Sequence, residues 1–275
     1  LHDLFSSSFA VEQVLLIMAR YAAELSYHGG LYSGWQIQPY SPSVQESVED
    51  VLSMLNKEHV SVTGAGRTDS GVHARAQVCS FDMAKEWDEY KLLMAVNANL
   101  PEGISINRVA LVRPDFHARY DAVKREYVYF LWTGRTMYPH IAQFVSWVRG
   151  RNYDWDLAAK ACTFLQGEHN FANFCRASNL PEDPVRTIYS IKLHRRRELL
   201  WLRILGNGFL TNMVRMIMGN LEMIAKGERE PEWIRSLLEP GVDRNTTGRT
   251  FPPNGLFLWR VYYNESLWNS HERAL

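Results

Sequence analysis

The chain has 275 residues, 46% of them hydrophobic and 22% charged, the make-up of an ordinary globular protein long enough for two units of structure. Thirty basic residues balance thirty acidic ones, which argues against an indiscriminate, strongly cationic nucleic-acid binder. No apolar run approaches the length of a membrane span.

Residues 1–17 hold a short apolar cluster up to Met18 but neither a basic n-region nor a small-residue cleavage site, so no signal peptide is expected. They read as an extension, or as the product of an alternative start, since Met18-Ala19-Arg20 would make a natural beginning. Arg20 to Tyr27 alternates as a strand, and the glycine-rich stretch Tyr27 to Gln36 follows as a loop. Ser43-Val44-Gln45-Glu46 is a capping box, after which Val44, Val48, Val51, Leu52 and Leu55 fall on one helical face. Val60 to Thr63 leads into Gly64-Ala65-Gly66-Arg67-Thr68-Asp69-Ser70-Gly71-Val72-His73-Ala74, and Ala76 to Phe81 alternates on the far side. This puts Asp69 on a loop between two strands, where chemistry is often held by a rigid scaffold. A glycine-rich turn with no chemistry is the alternative reading of such a loop. It is not a nucleotide-phosphate loop, because no Gly-Lys-Ser/Thr follows. A helix near Asp88 to Ala98 and a strand near Ile104 to Val112 complete a β-α-β-β-α-β order, the ferredoxin-like pattern.

The second half reads as a decorated variation. Strands are expected at Val123 to Trp132, Arg186 to His194, Leu199 to Leu205 and Leu256 to Tyr263, with helices at Trp155 to Leu165 and Leu210 to Ala225. The fold expected is α+β: two ferredoxin-like or RRM-like domains with largely antiparallel sheets flanking a central cleft. The domains span residues 18–113 and 114–265, with a tail over 266–275.

Cys79, Cys162 and Cys175 are widely spaced and odd in number, which supports neither a disulfide framework nor a zinc ribbon and fits a reducing cytoplasm. Twenty-three of the basic residues are arginine, whose planar fork suits phosphates and bases, although genomic base composition gives the same ratio. A metal cluster built from Asp69, His73, Cys79, Asp115 and His117 has no established ligand spacing. A serine hydrolase is weak too, for Gly-x-Ser-x-Gly is missing.

Gly-Arg-Thr-Asp-Ser-Gly-Val-His-Ala, residues 66–74, closely resembles the active-site motif of the tRNA pseudouridine synthase A family. Phe116-His117-Ala118-Arg119 with Arg125-Glu126-Tyr127-Val128-Tyr129, Met213-Val214-Arg215, and Pro252-Pro253-Asn254-Gly255-Leu256 resemble further segments of it. The resemblance runs from about Arg20 to Tyr263. His28, Ser70, Arg249 and Phe251 depart from the family pattern, and residues 1–17 have no counterpart.

The resemblance implies an isomerase that turns uridine into pseudouridine at positions 38 to 40 of the tRNA anticodon stem-loop, by base flipping and without a cofactor or metal. Asp69 would be the nucleophile, Arg215 its partner through a charge-assisted and even bidentate bond, and Tyr127 the base-stacking ring. Arg67, Thr68, His73, Arg125, Phe209, Gly255 and Leu256 are carried over as RNA- and substrate-binding positions. Tyr129 is expected in the core. A carboxylate that must stay ionised in a dry pocket needs a cation beside it, which is the physical reason for an arginine in the apolar run 210–225. The family also implies a homodimer gripping tRNA. An RNA-binding or tRNA-chaperone module without chemistry is the rival, and a metal-dependent hydrolase a remoter one.

Overall fold

In the computed structural model, residues 18–150, 152–239 and 247–268 are described here. Their order is β1 (Ala19–Tyr27), α1 (Val44–Asn56), β2 (Thr63–Gly64), β3 (His73–Met83), α2 (Glu89–Asn97) and β4 (Ile104–Leu111) in the first half. The second half runs β5 (Ala122–Trp132), β6 (Ser146–Trp147), α3 (Trp155–Cys162), β7 (Gly167–Asn170), β8 (Val185–Arg196), β9 (Leu199–Gly206), α4 (Met213–Ala225), α5 (Trp233–Ser236) and β10 (Leu256–Tyr263). The fold is α+β.

Among the described residues the ten strands form one mixed, mostly antiparallel sheet, in the order β4-β1-β3-β10-β5-β9-β8-β7. β2 adds to β3, and β6 to β5. The expected boundary at Arg113-Pro114 falls in the loop between β4 and β5, but the sheet does not stop there. β10, the last strand, runs parallel to β3 through Phe257↔His73 and Leu258↔Ala74, and antiparallel to β5 along its other edge. β2 meets the same edge of β3 higher up, at Ser80 and Cys79. The Asp69 loop leaves β2 and enters β3 where the two halves of the sheet are joined.

The helices follow local chemistry. Ser43 caps α1 by accepting from the Glu46 N–H at 3.2 Å, and Asp88 caps α2 through the Lys91 N–H at 2.9 Å. The apolar face of α1 is buried at Val44, Val48, Val51 and Leu52. α4 begins at Met213, three residues later than expected, because Asn212 takes a left-handed conformation with φ 62°. The helical stretch expected to Leu165 ends at Cys162 and tightens into a 3₁₀ turn over Thr163–Leu165. The expected strand over Val60 to Thr63 shrinks to the two-residue β2. In the segment expected as a tail, Leu267 and Trp268 pack against the core. Residues 1–17 and 269–275 lie outside the described residues.

Candidate active site

Every backbone turn of the Asp69 loop is tied to something rigid. The Ala65 N–H donates to Val78 O at 2.7 Å, and Gln77 Nε2 donates to Gly66 O at 2.7 Å. The Trp35 N–H donates to Thr68 O, while the Thr68 hydroxyl meets the Tyr27 hydroxyl at 2.8 Å. The turn is closed by the Val72 N–H on Asp69 O at 3.1 Å, with Gly71 at φ +80° in its third place. A side chain there would be strained, and its Cβ would lie 2.7 Å from Pro253. Gly34, at φ +106°, passes under the loop so closely that a Cβ would stand 2.7 Å from Thr68 O. The loop is therefore preorganised, as a catalytic carboxylate requires.

Arg215 reaches this loop from the first turn of α4. Its Nη1 donates to Asp69 Oδ2 at 3.0 Å and to Asn212 Oδ1 at 2.7 Å, and its Nε donates to Phe251 O at 2.7 Å. The two charged side chains are 13% and 27% exposed, arginine first, so the pair is drawn out of water without being sealed. Of the charge-assisted bond expected, for which a bidentate form was one possibility, the guanidinium makes a single contact to the carboxylate through Nη1, while its Nε goes to the Phe251 carbonyl.

Asp69 lines a cleft of about 370 Å³, at the small end of ligand pockets. Its walls come from the loop 65–72, from β5, and from the segment 208–214 that turns into α4. Tyr127 lies on the wall, 8% exposed, with Phe209 edge-on at 5.1 Å between ring centres. Burial first, and then the charge of Asp69, hold the Tyr127 phenol well above its ordinary range. Leu256 also lines the cleft. Tyr129, as expected, is fully buried and bonds to Ser146 and to the Pro252 carbonyl.

Asp69 is the one carboxylate among the described lining residues, whereas Arg67, Arg119, Arg125 and Arg186 all line the cleft and Arg215 reaches into it. A neutral protein thus carries a local positive basin, suited to a phosphate chain. Arg125 spends all five donors on main-chain oxygens of Ala65, Arg119, Ala122 and Asn207. It ties the Asp69 loop to the segments before β5 and after β9 while adding an uncancelled charge. Burial draws it below the ordinary guanidinium value. Arg67 is exposed and, among the described residues, has no hydrogen-bond or ion-pair partner.

Two of the motif residues turn inward, and a third, Thr68, lines the cleft but is largely buried with its hydroxyl occupied by Tyr27. His73 is 1% exposed, accepts from the Gly29 N–H, bonds to Gln143 O at 3.0 Å, and stacks on Phe257. It lies outside the cleft walls. Gly255 is there for packing, since a Cβ would stand 2.4 Å from Phe130 O. Arg119, Arg186, Asn212 and the Phe251 carbonyl were not picked out from the sequence. Arg119 sat in plain view, inside the Phe-His-Ala-Arg segment. The residues weighed for a metal cluster do not converge: His117 packs on Tyr120, Asp115 pairs with Arg113, and His73 is engaged as above. A larger hollow, about 530 Å³, opens at the other end of α4. It is lined by two carboxylates, Glu222 and Glu228, of which Glu222 is paired with Arg249 and Lys226.

A family model described as tRNA pseudouridine synthase matches residues 23–121 and 161–264. The chain is 40% identical over 250 residues to a tRNA pseudouridine synthase A of Bacillus subtilis, covering 89% of this chain and 99% of that one. It is 39% identical over 246 residues to that of Coxiella burnetii, covering 90% and 94%. For the Rhizobium meliloti protein of the same name the values are 38% over 249 residues, 90% and 100%. The matched segments contain Arg67 and Asp69 on one side of the gap and Arg215 and Leu256 on the other, while Arg125 and Tyr127 of β5 fall in the gap between them. The carboxylate loop and the segment that turns into α4 therefore both fall inside the matched segments.

Proposed function

The chain belongs to the tRNA pseudouridine synthase A family, and from this premise we propose that Asp69, gripped by Arg215, is the nucleophile that isomerises uridine in the anticodon stem-loop of tRNA. The activity is that of a tRNA pseudouridine synthase, an isomerase. In this reaction the N1–C1′ bond breaks and a C5–C1′ bond forms; formally one proton leaves C5 and one ends on N1. Atoms and electrons balance without an oxidant, a reductant or water.

The chain supplies what this requires. The observation that carries the reading is the 3.0 Å bond from Arg215 Nη1 to Asp69 Oδ2, made across 146 positions of sequence at the mouth of an arginine-lined cleft. The guanidinium keeps the carboxylate aimed and charged where water is thinned. The target uridine must leave its stack, which costs a few kcal/mol by the general cost of base flipping. Tyr127 stacks on the extruded base, with Phe209 and Leu256 closing around it. Arg67, unpartnered and exposed, occupies the vacated stack or holds phosphate. Arg119 and Arg186 take phosphates on the opposite wall, and Arg125 adds charge from beneath.

The uridines acted on are those at positions 38 to 40. Each half is a ferredoxin-like unit, divided near Arg113-Pro114. The strand order β4-β1-β3 with β2 beyond supports this for the first half. The protein works as a homodimer in the cytoplasm, with tRNA lying across both subunits. The buried thiols of Cys79 and Cys162, pushed up to about 12, are consistent with a reducing compartment.

The test is product analysis of tRNA incubated with purified protein and with Asp69→Asn. The parent forms pseudouridine at 38 to 40, while the variant binds the same tRNA with unchanged affinity and forms none. Turnover by Asp69→Asn removes Asp69 from the chemistry. Binding without product by the parent makes the protein an RNA chaperone instead.

A further inference from the structure

Asn212 sits in the turn that opens α4, at φ 62° and ψ 2°, and its carbonyl starts the helix by accepting from the Met216 N–H at 2.9 Å. Its side chain takes no part in capping. It points instead to Arg215. Because a guanidinium carries donors only, the atom facing Nη1 at 2.7 Å is the amide oxygen, and the amide NH₂ is turned away. The same Nη1 holds Asp69 at 3.0 Å, and Nε is held by the Phe251 carbonyl at 2.7 Å.

Two neutral oxygens thus fix the guanidinium at separate nitrogens, and the carboxylate approaches a plane already set. An arginine side chain has many rotamers to give up in being held this way. With the Phe251 carbonyl alone, the terminal nitrogens remain free to swing about one anchored atom. The second oxygen removes that freedom. Its neutrality matters too, since a carboxylate in its place would compete with Asp69 for the same charge.

We propose that Asn212 is a positioning residue for the isomerisation, acting through Arg215 to aim the Asp69 carboxylate. This rests on the Asp69–Arg215 pair being the reactive centre. It implies that a left-handed turn residue was selected for two properties at once, a backbone that starts α4 and an amide oxygen that orients its first arginine.

The left-handed backbone provides a clean test. Asn212→Gly keeps the conformation at no steric cost and deletes only the amide, whereas alanine would add strain. Single-turnover rates and KM are measured on an anticodon stem-loop RNA, with melting temperature as a check on folding. Asn212→Gly is expected to lower kcat about tenfold, the loss of one hydrogen bond to a charged group, with KM within twofold and melting unchanged. Asn212→Asp keeps an oxygen and tolerates the turn but is expected to be slower than the parent, since it draws Arg215 from Asp69. In an Arg215→Lys background, Asn212→Gly is expected to cost less than threefold more, because its effect passes through the guanidinium.

A kcat for Asn212→Gly within twofold of the parent overturns the proposal. So does a tenfold loss that persists undiminished in the Arg215→Lys background, or a rise in KM at constant kcat, which would make Asn212 an RNA contact. If Arg215→Lys alone leaves turnover normal, the Asp69–Arg215 pair is wrong and the positioning role falls with it.

Discussion

A single nitrogen, Arg215 Nη1, divides itself between Asp69 and Asn212, and that sharing decides what a substitution there must do. Lysine offers one compact ammonium on a flexible stem. It reaches Asp69 or the Phe251 carbonyl, but it lacks a second rigid nitrogen to hold both. Arg215→Lys is therefore expected to lower kcat about a hundredfold with little change in KM, by the size of effect seen when a charge-stabilising donor is lost. Turnover near the parent value would reject the pair. Tyr127 makes the opposite case. Its phenol is kept protonated by burial and by the nearby Asp69 charge, and among the described residues it has no hydrogen-bond partner. Tyr127→Phe keeps the ring and is expected to bind RNA within threefold of the parent, measured by filter binding. A tenfold loss would assign the binding to the hydroxyl. Asp69, Arg215, Tyr127, Phe209 and Leu256 were legible because each sits in a contiguous motif. His73 and Gly255 sit in the same motifs yet pack inward, and Thr68 lines the cleft with its hydroxyl given to Tyr27, because contiguity in a motif does not say which side chains face the cleft. Arg186 meets the site through a separation no local pattern records, and Asn212, only three residues before Arg215, was missed because its left-handed turn is what aims its amide at the guanidinium.

Helix α4 does not hold Arg215 by itself. The segment 247–251 lies along it and touches it at successive turns. The Phe251 N–H bonds to Arg215 O and Phe251 O accepts from Nε. One turn on, Asn220 Oδ1 accepts from the Gly248 N–H at 2.7 Å. Two residues further along α4, buried Glu222 is paired to Arg249. The close crossing exists because Gly219 and Gly248 have no side chains: a Cβ on Gly219 would stand 1.9 Å from Arg249 O, and one on Gly248 2.5 Å from Gly219 C. Gly219→Ala must therefore push the segment away. The expected cost is about 1–3 kcal/mol of stability, typical of overpacking, together with a fall in kcat, because Phe251 O retreats from Arg215. Thermal melting and turnover measured on the same preparation check both, and an unchanged kcat would uncouple the segment from the site. Helices α1 to α4 were legible from apolar spacing and caps, with Ser43 and Asp88 as clear starts. The short elements β6, β7 and α5 were not, and β2 was expected too long, for two to four residues carry little period. The late start of α4 was hidden because the apolar pattern runs through Asn212, whose left-handed turn is a property of three dimensions.

The two halves of the molecule meet where His73 of β3 pairs with Phe257 of β10, their rings stacked at 4.6 Å. One strand thus belongs to both halves, and the Asp69 loop is anchored four residues from the seam, so unfolding is expected to be a single transition. The seam also makes stability depend on pH. Burial, and then the neighbouring His28 ring, lower the His73 pKa to about 4, while its bonds to main-chain oxygens raise it by less. In the unfolded chain a histidine titrates near 6.5. As pH falls through 6.5 the unfolded state takes up a proton that the folded state refuses, so stability drops until both are protonated near 4 and then levels off. The full effect is of order 3 kcal/mol from the difference between those two values. The sign is the reverse of that for a histidine paired with a carboxylate, which would be stabilised by acid. His73→Gln keeps a donor and an acceptor but cannot take up the proton. It is expected to be less stable than the parent at pH 7.5, for want of the ring stack, and to lose less on acidification. Denaturant melts at pH 7.5, 6 and 4.5 should show the gap between the two narrowing by about 2 kcal/mol, most of the titration span. Parallel curves would mean that His73 is not the group through which acid loosens the seam, and that the sheet's two halves are held there by packing alone.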